Sequence, residues 1–186
     1  MGLYMRVITG KARGRRLISP EGFDVRPTTD RVKECMFSII QFELEGKTVL
    51  DLFAGTGQLG IEALSRGAAK AVFVDSSRKS AEIVKQNLAL AKIDAVTSVT
   101  VSDAIGFLNT AREKFDIVIL DPPYGKGLCD KAFEILPRVL NDNAVVICET
   151  SADETLPEAV GGLTQKKEYR YSAIKLTVYR GPTEEN

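Results

Sequence analysis

The sequence predicts an α/β fold in which helices pack on both faces of a doubly wound, mainly parallel sheet. From Lys47 onward, short apolar runs typical of strands alternate with longer segments of helical periodicity through short connections. Glycines or acidic residues follow several of these runs, and the tail holds two strand-like runs in succession. These three observations indicate parallel strands joined by helices, followed by an antiparallel hairpin.

A small hairpin is predicted at the start of the chain, over Met5 to Ile18. Its turn carries three arginines beside glycines, Arg13, Arg15 and Arg16. Guanidinium groups next to glycine can bind phosphates in a forked geometry without crowding. The alternative is a basic loop that is merely solvated.

A helix is predicted after Pro27, because Thr28 or Thr29 can cap it and Asp30 suits its first turn. Apolar residues recur at helical spacing as far as about Phe42. The side chains of Arg31 and Lys33 are expected to face outward, with Arg26 and Thr28 close by. Together with the hairpin arginines, these four residues are the candidate nucleic-acid contacts.

The elements after Lys47 are predicted from apolar periodicity and turn residues. The strands cover about Thr48–Leu52, Ala71–Val74, Ser98–Val101, Phe115–Leu120, Ala144–Cys148, Thr164–Tyr171 and Ala173–Tyr179. The helices cover about Gln58–Arg66, Ser77–Lys92, Ala104–Ala111, Cys129–Leu140 and a short segment near Glu154–Val160. The continuous apolar run Phe115–Leu120 is typical of a central strand.

Composition narrows the possible chemistry. The 186 residues include 25 basic and 25 acidic side chains and no histidine. The absence of histidine excludes catalytic triads and metal sites that depend on a histidine side chain. Residues 1–33 nevertheless have a net charge of +5, so the remainder is net acidic. Three widely spaced cysteines favour neither a disulfide framework nor a zinc site. Because no apolar run reaches membrane-spanning length, we expect a cytoplasmic protein. We also expect a monomer without a bound metal.

A glycine-rich turn follows the first strand, in the segment Asp51 to Gly60. Glycines 55 and 57 let a ligand approach the backbone, and the next helix directs unpaired N–H groups to the same place. A carboxylate at Asp51 would repel a pyrophosphate but suits the sulfonium and ammonium groups of S-adenosylmethionine. No Lys-Ser or Lys-Thr pair follows the glycines, which excludes a P-loop.

Two further acids follow the next two strands. Asp75, 24 residues after Asp51, occupies the position at which such folds bind a ribose hydroxyl pair, although it could equally cap the following helix. Asp103 follows the third strand, where an adenine amino group needs an acceptor. The candidate cofactor residues are Asp51, Phe53, Ala54, Gly55, Thr56, Gly57, Asp75, Ser76, Asp103 and Ala104.

The fourth strand ends in Asp121-Pro122-Pro123-Tyr124. Two prolines stiffen this corner and remove two N–H donors, so the Asp121 carboxylate and the Pro122 carbonyl present acceptors to a ligand. If each accepts one N–H of an exocyclic amine, the nitrogen lone pair is directed at the sulfonium methyl. Tyr124 would stack on the base. A proline-rich loop with a capping Asp is the structural alternative.

With these motifs the chain resembles the RsmD family of 16S ribosomal RNA guanine-N2 methyltransferases, which modify guanine 966 of small-subunit RNA. The resemblance rests on Arg6 to Leu17, the segment Arg26 to Glu34, Asp51 to Ala68 and Asp121 to Tyr124. It implies a class I, Rossmann-like S-adenosylmethionine-dependent methyltransferase sheet of seven strands with its last pair antiparallel. The family usually has Asn where Ser38 stands, often Ser at Thr56, and a second glycine at Lys11.

The resemblance implies a single domain over residues 1–186, with a basic RNA-binding extension to residue 45 and a catalytic core over 46–181. The implied partner is 16S RNA within an assembling 30S subunit, without a membrane. Three alternatives remain open: an amino-methyltransferase acting on another amine such as adenine N6, a dinucleotide-dependent oxidoreductase, and a catalytically silent RNA-binding factor.

Overall fold

The computed structural model describes residues 5–19 and 30–181, and in that part of the chain a single mixed sheet runs through the molecule. Its strands are β1 Thr48–Asp51, β2 Lys70–Asp75, β3 Val96–Val101, β4 Phe115–Leu120, β5 Leu140–Ser151, β6 Ala159–Val160, β7 Leu163–Tyr171 and β8 Ile174–Arg180. The spatial order is β3-β2-β1-β4-β5-β8-β7-β6. β1 to β5 are mutually parallel, whereas β8, β7 and β6 pair antiparallel.

The predicted α/β class, with its antiparallel end, is therefore confirmed, with eight strands in place of the seven expected. The direction of winding reverses between β1 and β4, which are hydrogen-bonded neighbours. The carboxyl ends of parallel strands meet at one edge of the sheet, and a reversal of this kind leaves a crevice there. The segments that follow β1 and β4 therefore lie side by side.

Among the described residues, five helices cover the sheet: α1 Asp30–Ile39, α2 Gln58–Ser65, α3 Arg78–Ala91, α4 Ala104–Thr110 and α5 Leu128–Ile135. Two separate apolar clusters form, one on each face. Met36 and Phe37 of α1 belong to the first, together with Ile61 of α2, and Leu108 of α4 and Phe133 of α5 belong to the second. Among the described residues, no helix is long and apolar enough to cross a membrane.

The prediction of a short helix near Glu154–Val160 is wrong. Carbonyls that a helix would use accept side-chain bonds instead: Lys175 Nζ donates to the Glu154 carbonyl at 2.7 Å, and Tyr179 Oη to that of Pro157 at 2.6 Å. Gly161 and Gly162 then adopt φ of +56° and +85°. That turn pairs Val160 with Leu163 and creates the extra strand β6.

Two helix ends also differ from the prediction. α1 ends at Ile39 rather than near Phe42, whose side chain is exposed. α5 ends at Ile135 and continues as a 3-10 turn over Leu136–Val139, because Pro137 has no N–H to donate to an α-helix. As a result β5 begins at Leu140, four residues before the predicted start at Ala144.

The predicted hairpin is present. An isolated antiparallel bridge joins Arg6 to Arg16, Val7 N donates to the Arg15 carbonyl at 3.0 Å, and Gly14 N donates to the Val7 carbonyl at 2.8 Å. The hairpin packs on α2, and Gly10 approaches so closely that a Cβ there would lie 1.9 Å from the Ser65 carbonyl oxygen. The two segments are therefore in direct backbone contact.

Candidate functional site

Four predicted site segments meet at the carboxyl edge of the sheet. In spatial order they lie at the carboxyl ends of β3, β2, β1 and β4, and they contain Asp103, Asp75, the glycine turn and Asp121. Leu52 N donates to the Ile119 carbonyl at 3.1 Å and Ala54 N to the Val74 carbonyl at 2.9 Å. These bonds hold the beginning of the glycine turn between its two neighbouring strands.

Asp75 is the acceptor around which the glycine turn is built. One carboxylate oxygen accepts the Gly55 N–H at 2.9 Å, and the other accepts the Ser77 N–H at 2.8 Å. Ser77 caps α3 by accepting the Ser80 N–H, so the capping role considered for Asp75 belongs to Ser77. Asp75 thus keeps a partly exposed carboxylate beside the backbone of Gly55.

The two glycines of the turn are not equivalent. Gly55 has φ of +53°, and a Cβ there would enter open space, which leaves the backbone accessible from that side. Gly57 has φ of +77°, and a Cβ there would lie 3.1 Å from a Val84 methyl. Substitution of Gly57 therefore disturbs packing as well as any ligand, whereas Gly55 borders only the open side.

Asp51 is buried behind the turn. One of its oxygens accepts the Gly60 N–H at 2.9 Å, while Oδ1 has no hydrogen-bond partner among the described residues. Burial raises the pKa of this carboxyl to about 7, the Gly60 bond acts in the opposite direction, and the Asp75 charge adds to the rise. A buried carboxylate oxygen without a hydrogen-bond donor suits a positively charged ligand group nearby.

The remaining cofactor candidates line the same edge. Asp103 caps α4, because its Oδ1 accepts the Gly106 N–H at 2.8 Å. Thr56 lies in the turn, and its hydroxyl donates to Met5 Sδ at 3.3 Å. Ala104 belongs to the second apolar cluster, and Phe53 packs against it. Ala54 is buried in the first cluster, and Ser76 is exposed.

The Asp121 to Tyr124 corner follows β4 directly, next to the glycine turn. Asp121 is partly exposed, Pro122 is buried and Pro123 is exposed. Tyr124 is 38% exposed, and its hydroxyl donates to Glu149 Oε1 at 2.9 Å. The sequence interpretation missed Glu149, although an acid that directly follows the predicted strand Ala144–Cys148 is a signal that could have identified it.

Asn87 is a second residue that the interpretation missed. Its buried amide accepts the Ile18 N–H at 2.7 Å and donates to the carbonyls of Ile18, at 3.2 Å, and Thr56, at 2.9 Å. It therefore joins the amino-terminal segment to the glycine turn. A polar residue at a buried position of a helical apolar stripe was the available signal.

The nucleic-acid candidates fall into three groups. Arg13, Arg15 and Arg16 are exposed on the hairpin, and Arg31 is exposed on α1. Arg26 and Thr28 lie outside the described residues. The prediction that Lys33 faces outward is wrong, because its side chain is fully buried and its Nζ donates to the Arg6 carbonyl at 2.7 Å.

The Lys33 ammonium donates a hydrogen bond to the hairpin backbone and another, at 3.4 Å, to the Gln58 side chain. Burial lowers the pKa of Lys33, and the Glu62 and Asp30 carboxylates offset part of that effect. A lysine held in this way anchors α1 to the hairpin and cannot reach a phosphate from its present position. Across residues 5–19 and 30–181, no group of three or more His, Cys, Asp or Glu side chains is placed to hold a metal.

Comparison with known proteins shows similarity over nearly the whole chain. The family described as Conserved hypothetical protein 95 matches residues 5–180. YlbH of Bacillus subtilis is 36% identical over 95% of this chain and 98% of that protein. Ribosomal RNA small subunit methyltransferase D of Escherichia coli K12 is 33% identical over 95% of this chain and 89% of that protein. A solved structure of Escherichia coli yhhF superposes with a TM-score of 0.86 at 33% identity, covering 96% of this chain and 98% of that one.

Proposed function

The chain belongs to the family of Conserved hypothetical protein 95, the RsmD family, and from that membership we propose that it methylates the exocyclic N2 amine of a guanine in 16S ribosomal RNA. The observation that carries the proposal is the meeting of two motifs at one sheet edge. The Asp75-bound glycine turn and the Asp121 to Tyr124 corner follow adjacent strands, β1 and β4. The glycine turn can hold a methyl donor, and the Asp121 to Tyr124 corner can hold an amine.

S-adenosylmethionine is the proposed donor, and it supplies an electrophilic methyl group on a sulfonium. The accessible backbone at Gly55 and the orphaned Asp51 oxygen fit a ligand that carries positive charge and no phosphate. Asp75 would accept from the ribose hydroxyls while it continues to hold the turn. Asp103 would lie at the adenine end, beyond β3.

The chemical work of the protein is to position an amine that is a weak nucleophile. Asp121 and the Pro122 carbonyl each accept one N–H of that amine, which places the nitrogen lone pair toward the methyl group. The N–C bond forms as the S–C bond breaks, and Asp121 takes the proton that the nitrogen loses. Tyr124 stacks on the base and keeps it in this pose.

A guanine within folded RNA must leave its stack to reach this edge, and the cost of extrusion has to be offset by contacts elsewhere. The amino-terminal segment is the proposed source, because its exposed arginines give it a positive charge that the rest of the chain lacks. A cavity of about 300 Å³ beside the hairpin is lined by Arg6, Thr9, Arg13 and Glu34. The proposed setting is an assembling 30S subunit in the cytoplasm, with one copy of the chain acting alone.

The test is methyl transfer from labelled S-adenosylmethionine to unmodified 16S transcripts and to 30S subunits reconstituted from them, followed by nucleoside analysis. The expected product is N2-methylguanosine. A matched transcript with inosine in place of guanosine should accept no methyl group, because inosine lacks the 2-amino group. N6-methyladenosine as product would overturn the guanine assignment, and transfer to neither RNA substrate would overturn the proposal as a whole.

A further inference from the structure

Glu149 lies inside β5, in a run of buried apolar residues that includes Ile147 and Cys148. Its side chain is only 2% exposed. A carboxylate in such surroundings is costly unless a donor satisfies it. The Tyr124 hydroxyl donates to Glu149 Oε1 at 2.9 Å.

Tyr124 is 38% exposed, and its backbone is restrained on both sides. Its backbone follows two prolines, which restrict the approach of the chain, and the next amide, Gly125 N, faces the Glu154 carboxylate at 3.4 Å. These backbone restraints do not set the direction of the ring. A hydrogen bond at the phenolic oxygen, the atom farthest from the backbone, restricts χ1 and so fixes where the ring lies. Because the hydroxyl hydrogen prefers the plane of the ring, the same bond favours the ring plane that contains the acceptor.

We propose that Glu149 is a positioning residue for methyl transfer: by accepting the Tyr124 hydroxyl, it holds the ring in the orientation in which its exposed face receives the extruded base. The inference rests on the proposed function, because it assigns the ring to the base. The position of the amine relative to Asp121 then depends on a residue in the neighbouring strand. Misplacement by about 1 Å in such a site reduces turnover by about 100-fold.

Two conservative substitutions change this hydrogen bond, one from each side. Glu149→Gln keeps the size and an acceptor oxygen but removes the charge. Tyr124→Phe keeps the stacking ring and removes the donor.

The experiment is a double-mutant cycle on kcat with the wild-type, Glu149→Gln, Tyr124→Phe and doubly substituted chains. It uses whichever RNA base the wild-type chain methylates, so the identity of the product tests the proposed function and the cycle tests Glu149. We expect each single change to lower kcat by roughly 10- to 100-fold, with S-adenosylmethionine affinity within about twofold of wild type. The double variant should be no slower than the slower single one.

The matched control is Thr150→Val. Thr150 neighbours Glu149 in β5, its side chain lies on the other face of the sheet, and its buried hydroxyl has no hydrogen-bond partner in the described part of the chain. It should keep the wild-type kcat. Wild-type kcat in Tyr124→Phe, or single effects that multiply in the double variant, would overturn the proposal even if Glu149→Gln folded poorly.

Discussion

The Asp75 carboxylate accepts the N–H of Gly55 at 2.9 Å, so an acid at the end of β2 shapes the turn that follows β1. We predict that Asp75→Ala weakens S-adenosylmethionine binding by about 10- to 100-fold, because hydrogen bonds to charged groups contribute about 1.5–3 kcal/mol. Titration calorimetry measures the change. Asp75→Asn, which keeps one acceptor oxygen, should lose less, and the exposed Asp94→Ala should bind normally. Equal affinity in Asp75→Ala and wild type would contradict this role.

Asp51 should make part of the stability of the fold depend on pH. Its folded-state pKa of about 7 lies above the ordinary value of 3.8, so the folded chain binds this proton more tightly than the unfolded chain. The contribution is complete below about pH 4 and is lost as the pH rises to about 7, at up to about 1.4 kcal/mol per pH unit. Urea unfolding of Asp51→Asn relative to wild type should show this difference.

The same carboxyl reports on the bound cofactor. A cation placed near Asp51 lowers its pKa, so binding at pH 6 to 7 should release protons. Calorimetry in buffers of different ionisation enthalpy measures that release, which should disappear in Asp51→Asn. Proton release of the same size in both chains would show that Asp51 is not its source.

Asp121→Ala should separate chemistry from cofactor binding. We expect kcat for methyl transfer to fall by about 100- to 1,000-fold, the effect of removing one positioned electrostatic contact, while S-adenosylmethionine affinity changes by no more than a few fold. Single-turnover kinetics and calorimetry measure the two quantities. Asp130→Ala, on the exposed side of α5, is the control. If affinity fell as far as turnover, the acid would belong to the cofactor site.

Glu62 should anchor the hairpin to the catalytic part of the chain. Its buried carboxylate accepts the Ile8 and Thr9 N–H groups at 2.8 and 3.0 Å and pairs with Arg66. Glu62→Ala leaves both amides unpaired, which should cost about 2–5 kcal/mol in urea unfolding and expose the hairpin to trypsin. Glu82→Ala, in an exposed pair with Lys85, should change stability by less than about 0.5 kcal/mol. An unchanged urea midpoint for Glu62→Ala would refute the anchor.

The hairpin arginines should bind RNA without affecting the cofactor. Replacing Arg13, Arg15 and Arg16 with Ala should weaken RNA binding and reduce its dependence on salt by up to about three phosphate contacts. Filter binding across a salt series measures both. A control variant with the same loss of charge, Lys114→Ala with Lys131→Ala and Lys166→Ala, removes three exposed lysines outside the hairpin. Equal salt slopes for the two variants would show that only net charge matters.

Most of the fold and much of the site are predictable from local patterns in this sequence. Alternating apolar runs define β1 to β5, and the glycines and acids that follow them identify the residues at the carboxyl edge, because parallel strands end on the same side of a sheet. The failed helix near Glu154 shows the limit. Its backbone is held by Lys175 and Tyr179, 21 and 22 residues farther along the chain, and no local pattern records those bonds.

Tertiary structure alone decided which polar side chains support the site. Lys33 has the sequence context of a surface lysine but is buried against the carbonyl of Arg6, 27 residues away. Glu149 meets Tyr124 only because β5 pairs with β4 in a register that places Cys148 beside Leu120. Periodicity specifies which face of an element is apolar, since that depends on neighbours three or four residues apart. The partner of a buried polar group depends on how separate elements pack, which the sequence pattern does not contain.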